Sequence, residues 1–288
     1  MTPTPVPSRD MQPPDPIGEI TIAGTEGPEP SIEVGAKITS AGDISLPLDK
    51  YRPTPEDLQR RNMLWARLEQ QCMQQYGLAG IVGQRFVSTE QSPTAKFLDP
   101  VRAKSDGYAQ IGPQGLDILG EYRAEGSPIS PQEGMDATAI YNGSIDNYQG
   151  KPVPQGGCRS EAEKKIIPGI EKLRVDVSDL VYSAAVAASR HSKVIEAQAR
   201  WSQCMKSKGF EYISTGQASN VASQSSSDAA VRIAGADADC RVAVSLTETQ
   251  VAAEVAYQNR LLSANLALVV AAKKFTDETM KRVEQLGG

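Results

Sequence analysis

The chain has 288 residues, 40% of them hydrophobic and 23% charged, with a formal net charge of −5, and that length suffices for one substantial core. Residues 1–50 hold eight acids and three bases while residues 51–288 hold 27 of each, so the body is neutral and lacks the basic excess that gripping nucleic-acid phosphates requires. A lone histidine, His191, rules out a His-rich zinc site, and any His-based general acid or base would have to be that residue.

Residues 1–53 read as a flexible, disordered tail or tether. Eleven of the 19 prolines lie at or before Pro55, and runs such as Gln12-Pro13-Pro14-Asp15-Pro16 favour extended conformations with too little apolar surface to offset ordering entropy. Within this tail, Ile17 to Ile22 alternates weakly, as a short strand would on docking. No hydrophobic leader opens the chain, which on its own suggests the cytoplasm.

The first clear helix starts at Thr54-Pro55-Glu56-Asp57. Thr54 is the N-cap, Pro55 suits the first helical position, and two acids favour the positive helix end. Leu58, Trp65, Leu68, Cys72 and Tyr76 follow at helical spacing, up to Gly77 as the C′ residue. Residues 78–157 read as a loop-rich insertion of loops and short helices with six prolines from Pro93 to Pro152. A stretch of that length is either a functional insertion or mobile. Helical pattern returns from Ser160 to about Arg174, bent at Pro168. A longer helix is predicted from Val177 to Ser207, with Leu180, Ala184, Ala187, Val194, Trp201 and Met205 on one stripe and Gly209 as the stop. His191 lies at the edge of that stripe, its ring half packed and its tip wet, or else serves as a pH-sensitive contact. After a Ser-rich connection, Ser219 to Ser227, a short helix near Asp228 to Ala238 leads into one from Leu246 to Leu286, roughly 60 Å long at 1.5 Å per residue. Its apolar run Leu266 to Ala272 is too short to span a membrane, because Lys273-Lys274 follows at once. It is expected at the centre of the core.

The four cysteines, Cys72, Cys158, Cys204 and Cys240, lack the C-x-x-C spacing of a zinc or redox site, and an even count without it favours disulfides and an oxidising compartment. The missing leader would then lie upstream of Met1 or have been removed. Cys72-Met73-Gln74-Gln75-Tyr76-Gly77-Leu78 and Cys204-Met205-Lys206-Ser207-Lys208-Gly209-Phe210 share the pattern C-M-x-x-x-G plus an apolar residue, each following a tryptophan at a helix end. Cys158 precedes a helix after the flexible Gly156-Gly157, and Cys240 sits near the start of the last one. Chain order suggests Cys72–Cys158 and Cys204–Cys240 out of three connectivities; four buried free thiols are the alternative.

Leu46-Pro47-Leu48-Asp49-Lys50-Tyr51, the two C-M-x-x-x-G segments, Gly156-Gly157-Cys158-x-x-Glu161-Ala162, and Asp239-Cys240 followed by Glu254-x-x-Tyr257-Gln258-x-x-Leu261 together resemble a family of uncharacterised secreted proteins and lipoproteins of actinobacteria, frequent in Streptomyces-like genomes. The resemblance runs from about Leu46 to Leu286. It implies an exported, mainly helical, disulfide-linked protein of the cell envelope, in some cases encoded beside export-system and peptidoglycan-binding components, with no established activity. The amino end here lacks the family's signal or lipobox cysteine, although the tail is compatible with a membrane tether.

The sequence thus predicts a mainly α, disulfide-stapled helical bundle as one domain over 54–288, with a long C-terminal helix, an irregular 78–157 region and the tail 1–53. On the last helix, Glu254 shares a stripe with Tyr257 and Leu261, and Gln258 and Asn265 share the adjoining one with Val255, Leu262 and Val269. Glu254, Tyr257 and Gln258 are candidates for a polar ligand pocket; the competing reading is that they bond to neighbouring elements and fix register. No phosphate-binding glycine loop, dinucleotide fingerprint, H-E-x-x-H or G-x-S-x-G occurs, and no cofactor is expected. Two functions are compared. One is a non-enzymatic, extracytoplasmic envelope protein that binds a partner protein or cell-wall component. The other is a cell-wall glycan hydrolase using carboxylates such as Glu121, Glu125 or Glu133, which must converge across a cleft.

Overall fold

Helix α1 (Pro55–Gln74) begins as its sequence dictates. The Asp57 N–H donates to Thr54 Oγ1 at 3.1 Å and the Thr54 N–H donates to the Asp57 carboxylate at 3.2 Å, so two donors that a helix start leaves orphaned are satisfied reciprocally. It ends at Gly77, whose φ of +75° lets the Leu78 N–H reach back to the Met73 carbonyl at 3.2 Å. The computed structural model of the chain describes residues 22–78, 96–111, 131–170 and 175–287.

Nine further helices occur among the described residues: α2 (Ala103–Asp106), α3 (Pro131–Asn142), α4 (Gly157–Ile166), α5 (Val177–Ser189), α6 (Ser192–Ser207), α7 (Thr215–Ser223), α8 (Ser227–Ala243), α9 (Leu246–Ala264) and α10 (Leu266–Gln285). A small antiparallel hairpin pairs β1 (Asn147–Tyr148) with β2 (Lys151–Pro152), Asn147 opposite Pro152. The protein is therefore mainly helical, and the described residues of the 78–157 region hold α2 and α3, where short helices were expected, together with the hairpin, where no sheet was. Helix α5 packs along α9, α6 against α8 and α9, and α1 against α4 and α10. Leu180, Val181 and Ala184 of α5 meet Leu261 of α9 and Val269 and Ala272 of α10 in one cluster, while Trp201 and Met205 of α6 meet Ile233 and Leu246 in another.

Several helix limits differ from expectation. Helix α4 stops at Ile166 because Pro168 cannot continue it. The predicted helix from Val177 to Ser207 is two, because His191 takes an extended conformation (φ −62°, ψ 135°) and caps α6. The first part of the Ser-rich connection is helical, in α7, which Ser214 caps by accepting from Gln217 N–H at 3.1 Å. Cys240 lies in the last turn of α8 rather than at the start of the next helix. The long C-terminal helix breaks at one residue, Asn265 (φ −123°, ψ 21°). Its apolar run is not the core's centre: Val269 and Ala272 are buried, but Leu266 and Val270 are half exposed, so α10 buries one face only.

The largest correction concerns the tail. Residues 22–53 form an arm laid over the bundle, with Ile32, Ile38, Ile44, Leu46 and Leu48 buried; residues 1–21, with the proposed strand at Ile17, lie outside the described part. Isolated aliphatics separated by Gly, Pro and Ser have no period to betray burial, yet each is buried in an apolar cluster with residues of the helical body.

Two disulfides join the helices: Cys72–Cys158 links α1 to α4 with Cα atoms 5.5 Å apart, and Cys204–Cys240 links α6 to α8 at 5.7 Å. The first depends on a close backbone crossing rather than on a flexible approach. A Cβ on Gly157 (φ +71°) would stand 2.3 Å from the Tyr141 carbonyl oxygen, and one on Gly143 (φ +68°) 2.2 Å from the Gly157 nitrogen. Both glycines are needed to seat Cys158 beside Cys72. Gly157→Ala should leave Cys72 and Cys158 largely as free thiols, read by alkylation and intact mass. It should also lower stability to urea by up to about 4–5 kcal/mol, the loop-entropy value for a closure of this length.

Candidate functional site

The arm and the helices beneath it form the most organised polar surface of the molecule. Its path is set by a series of side chains on α6, α9 and the α9–α10 break, most of which bond the arm's backbone. Asn265 Oδ1 accepts from Ala23 N–H at 3.2 Å and its Nδ2 donates to the Ala23 carbonyl at 2.9 Å. Arg260 donates to the Pro28 carbonyl. Lys193 Nζ donates to the Ile32 carbonyl at 2.9 Å. Glu248 Oε1 accepts from Ile38 N–H at 3.1 Å, and Gln258 Oε1 from Leu48 N–H at 3.0 Å. The arm therefore descends along α9 from Asn265 to Glu248 and returns to Gln258.

His191 secures the same arm. Its Nδ1 accepts the Lys193 N–H at 3.2 Å, so Nε2 carries the proton and donates to the Pro30 carbonyl at 2.9 Å. The ring is 2% exposed and stands edge-on to Tyr257, centroids 6.3 Å apart. It is thus fully packed, not wet at its tip. Beside it, the Glu29 carboxylate accepts from Ser192 Oγ at 2.5 Å and Ser192 N–H at 2.9 Å. These two hydrogen bonds hold Glu29 below the usual glutamate range, with His191 adding to them.

Of the residues predicted to form a polar pocket, Glu254 and Gln258 are completely buried, Gln258 against the arm. Tyr257 is partly buried under Arg260, whose guanidinium lies 5.3 Å from the ring centroid. Burial raises the phenol above its ordinary value, Glu29 adds to the rise and Arg260 opposes it. None of the three lines the groove that the arm leaves open. That groove, about 1080 Å³, runs between arm residues 30–43 and Val251, Ala252, Val255 and Ala256 of α9. Its floor is apolar and its rim carries Glu33 and Lys37.

Elsewhere, buried acids are engaged in structure. Asp237, fully buried, accepts from Trp201 Nε1 at 2.8 Å and Tyr108 OH at 2.8 Å and pairs with Arg241 at 2.8 Å. Burial pushes the Tyr108 phenol far up, with Asp237 adding to it. The Asp237 carboxylate outweighs burial at Arg241 and keeps its guanidinium above its ordinary value. Arg241 also donates to the Lys96 carbonyl, tying the segment before α2 to α8. Sequence reasoning did not single out Asp237, although its i,i+4 spacing to Arg241 was a usable sign. Of the carboxylates considered for hydrolysis, Glu133 is exposed on the first turn of α3, and Glu121 and Glu125 lie outside the described residues. Among the described residues no cluster of His, Cys, Asp and Glu is suited to a metal ion, and no helix is long and apolar enough to cross a membrane.

Fold and site together define a disulfide-linked helical protein whose amino-terminal arm is held by side chains of its own core helices. The chain matches no protein-family model, no curated protein and no solved structure.

Two outcomes follow from these bonds. Asp237→Ala leaves the Arg241 guanidinium, Trp201 and Tyr108 without their acceptor and should cost about 3–5 kcal/mol in urea unfolding, as expected for one half of a buried pair. Glu29 has a folded pKa lowered by Ser192, so its contribution is present above the ordinary glutamate pKa and is lost as pH falls through the folded value. Protection of the Ser192 amide, taken relative to its intrinsic exchange rate at each pH, should therefore fall on acidification through that window, and Glu29→Gln should remove the dependence.

Proposed function

We propose that this protein acts in an extracytoplasmic compartment of the cell envelope, where it binds a partner protein or a cell-wall component and performs no chemistry of its own. The observation that carries this reading is the pair of disulfides within one helical body, since such bonds form and persist in oxidising compartments. The resemblance to exported actinobacterial proteins agrees with it, and an accessory role beside an export system is the finer form of the same proposal. The buried acids Asp237 and Glu248 are taken up in hydrogen bonds to the protein itself. The apolar-floored groove beside the arm is the surface best shaped to receive a partner.

Affinity capture from intact envelopes after crosslinking, combined with alkylation of the captured chain, tests location and partner together. The expected result is an oxidised chain, digested by protease added outside the cytoplasmic membrane and recovered with an envelope protein or peptidoglycan fragment. A chain protected in the cytoplasm with four free thiols would overturn it.

A further inference from the structure

We infer that the arm is exchangeable, so that the helical track of one copy of this chain takes the arm of a second copy in a reciprocal, two-fold dimer. The track recognises the arm mostly through its backbone: Asn265, Arg260, His191, Lys193, Glu248 and Gln258 all bond main-chain atoms of residues 23–48. Among the described residues, no backbone-to-backbone hydrogen bond joins that arm to a helix. The arm can therefore leave and return as a unit without unravelling any secondary structure. Its aliphatic residues give the rest of the fit, with Ile32 in one apolar cluster, Ile38, Ile44 and Leu46 in a second and Leu48 in a third.

The connection to the body suits this exchange. Between the 3₁₀ turn Asp49–Tyr51 and α1 lie only Arg52, Pro53 and Thr54, with Arg52 (φ −100°, ψ 155°) and Thr54 (φ −68°, ψ 161°) both extended. Each precedes a proline, which disfavours helical backbone there and holds the hinge straight. A short hinge is a setting in which identical elements trade places between copies.

The choice of occupant follows from competition. An unrelated extended segment must displace an arm that its tether keeps at an effective concentration of the order of millimolar. A second copy supplies an arm in return for the one it displaces, and every arm–track bond is re-formed. Closed monomer and exchanged dimer then differ only at the hinge and in association entropy, and the two-fold arrangement closes on itself without leaving an open end.

The test uses the full chain with its disulfides intact. One preparation is methyl-labelled only at isoleucine and the other only at valine; the two are mixed and concentrated, and mass in solution is followed by light scattering. Ile38 and Ile44 belong to the apolar cluster that Val251 and Val255 pack against, so a methyl contact between either isoleucine and either valine in the mixture arises only when the arm of one copy lies on the track of another. Expected are a shift from monomer to dimer mass with rising concentration and a contact between an arm isoleucine, Ile38 or Ile44, and Val251 or Val255 in the dimer. A chain that stays monomeric, or a dimer without the mixed contact, overturns the inference.

Discussion

When the arm's aliphatic side chains leave water, the backbone N–H and C=O groups between them leave it too, and each must find a new partner. An irregular segment has no ladder to supply those partners. The helices do it with side chains: Glu248 and Gln258 accept from Ile38 and Leu48, and Asn265 both accepts from and donates to Ala23. This requirement explains why fully buried amide and carboxyl groups interrupt the apolar surface of α9. It also explains the break between α9 and α10. Asn265 Nδ2 donates to both the Ala23 and Leu261 carbonyls, so the side chain that anchors the start of the described arm also satisfies a carbonyl at the end of α9.

The two disulfide-linked regions are built alike. The segments Cys72–Leu78 and Cys204–Phe210 each bury a methionine completely, turn at a glycine of positive φ, and send the next residue's N–H back to that methionine's carbonyl. Each cysteine in the last turn is joined to a helix lying beside it. Near each bridge a tyrosine hydroxyl meets a buried acid, Tyr141 with Glu69 at 2.9 Å and Tyr108 with Asp237 at 2.8 Å. The Trp201 indole donates into the second of these pairs. One local solution, a helix end that turns back on its own core and is then fixed by a covalent bond, thus serves twice.

What could be read in advance followed from periodicity and caps. Thr54-Pro55 with Asp57 carries its own mechanism, and the apolar stripe of α1 leads to Gly77 without ambiguity. The shared stripe of Gln258 and Asn265 correctly put both on one side of the last helices, but not what they hold, since hydrogen-bond partners 210 and 242 residues away leave no trace in a local pattern. The breaks at His191 and Asn265 were hidden because a single non-helical residue scarcely disturbs a stripe and neither is a proline or glycine. Helix α7 was hidden for another reason: serine favours turns by local propensity, while burial of Ala218 and Ala222 against α8 overrides it. Composition misled most at the arm, where many prolines and few aliphatics suggested a free tether although tertiary contacts decide the outcome.

The uneven charge along the chain has a structural use. The acidic arm lies over the positive N-terminal end of α6 and beside Lys193 and Arg260, with Glu29 bonded to Ser192 and 3.4 Å from His191. The Glu29 carboxylate is exposed, so water and salt screen its charge, and these contacts orient the arm rather than hold it. The hold comes from buried aliphatics and from backbone groups that would otherwise be left unsatisfied. Covalent and non-covalent restraints are accordingly divided between regions. The disulfides fix α1 to α4 and α6 to α8, whereas the arm, bonded only through side chains and closing over the α5–α9 core, is the large element free to part from the body while the bundle beneath it remains tied.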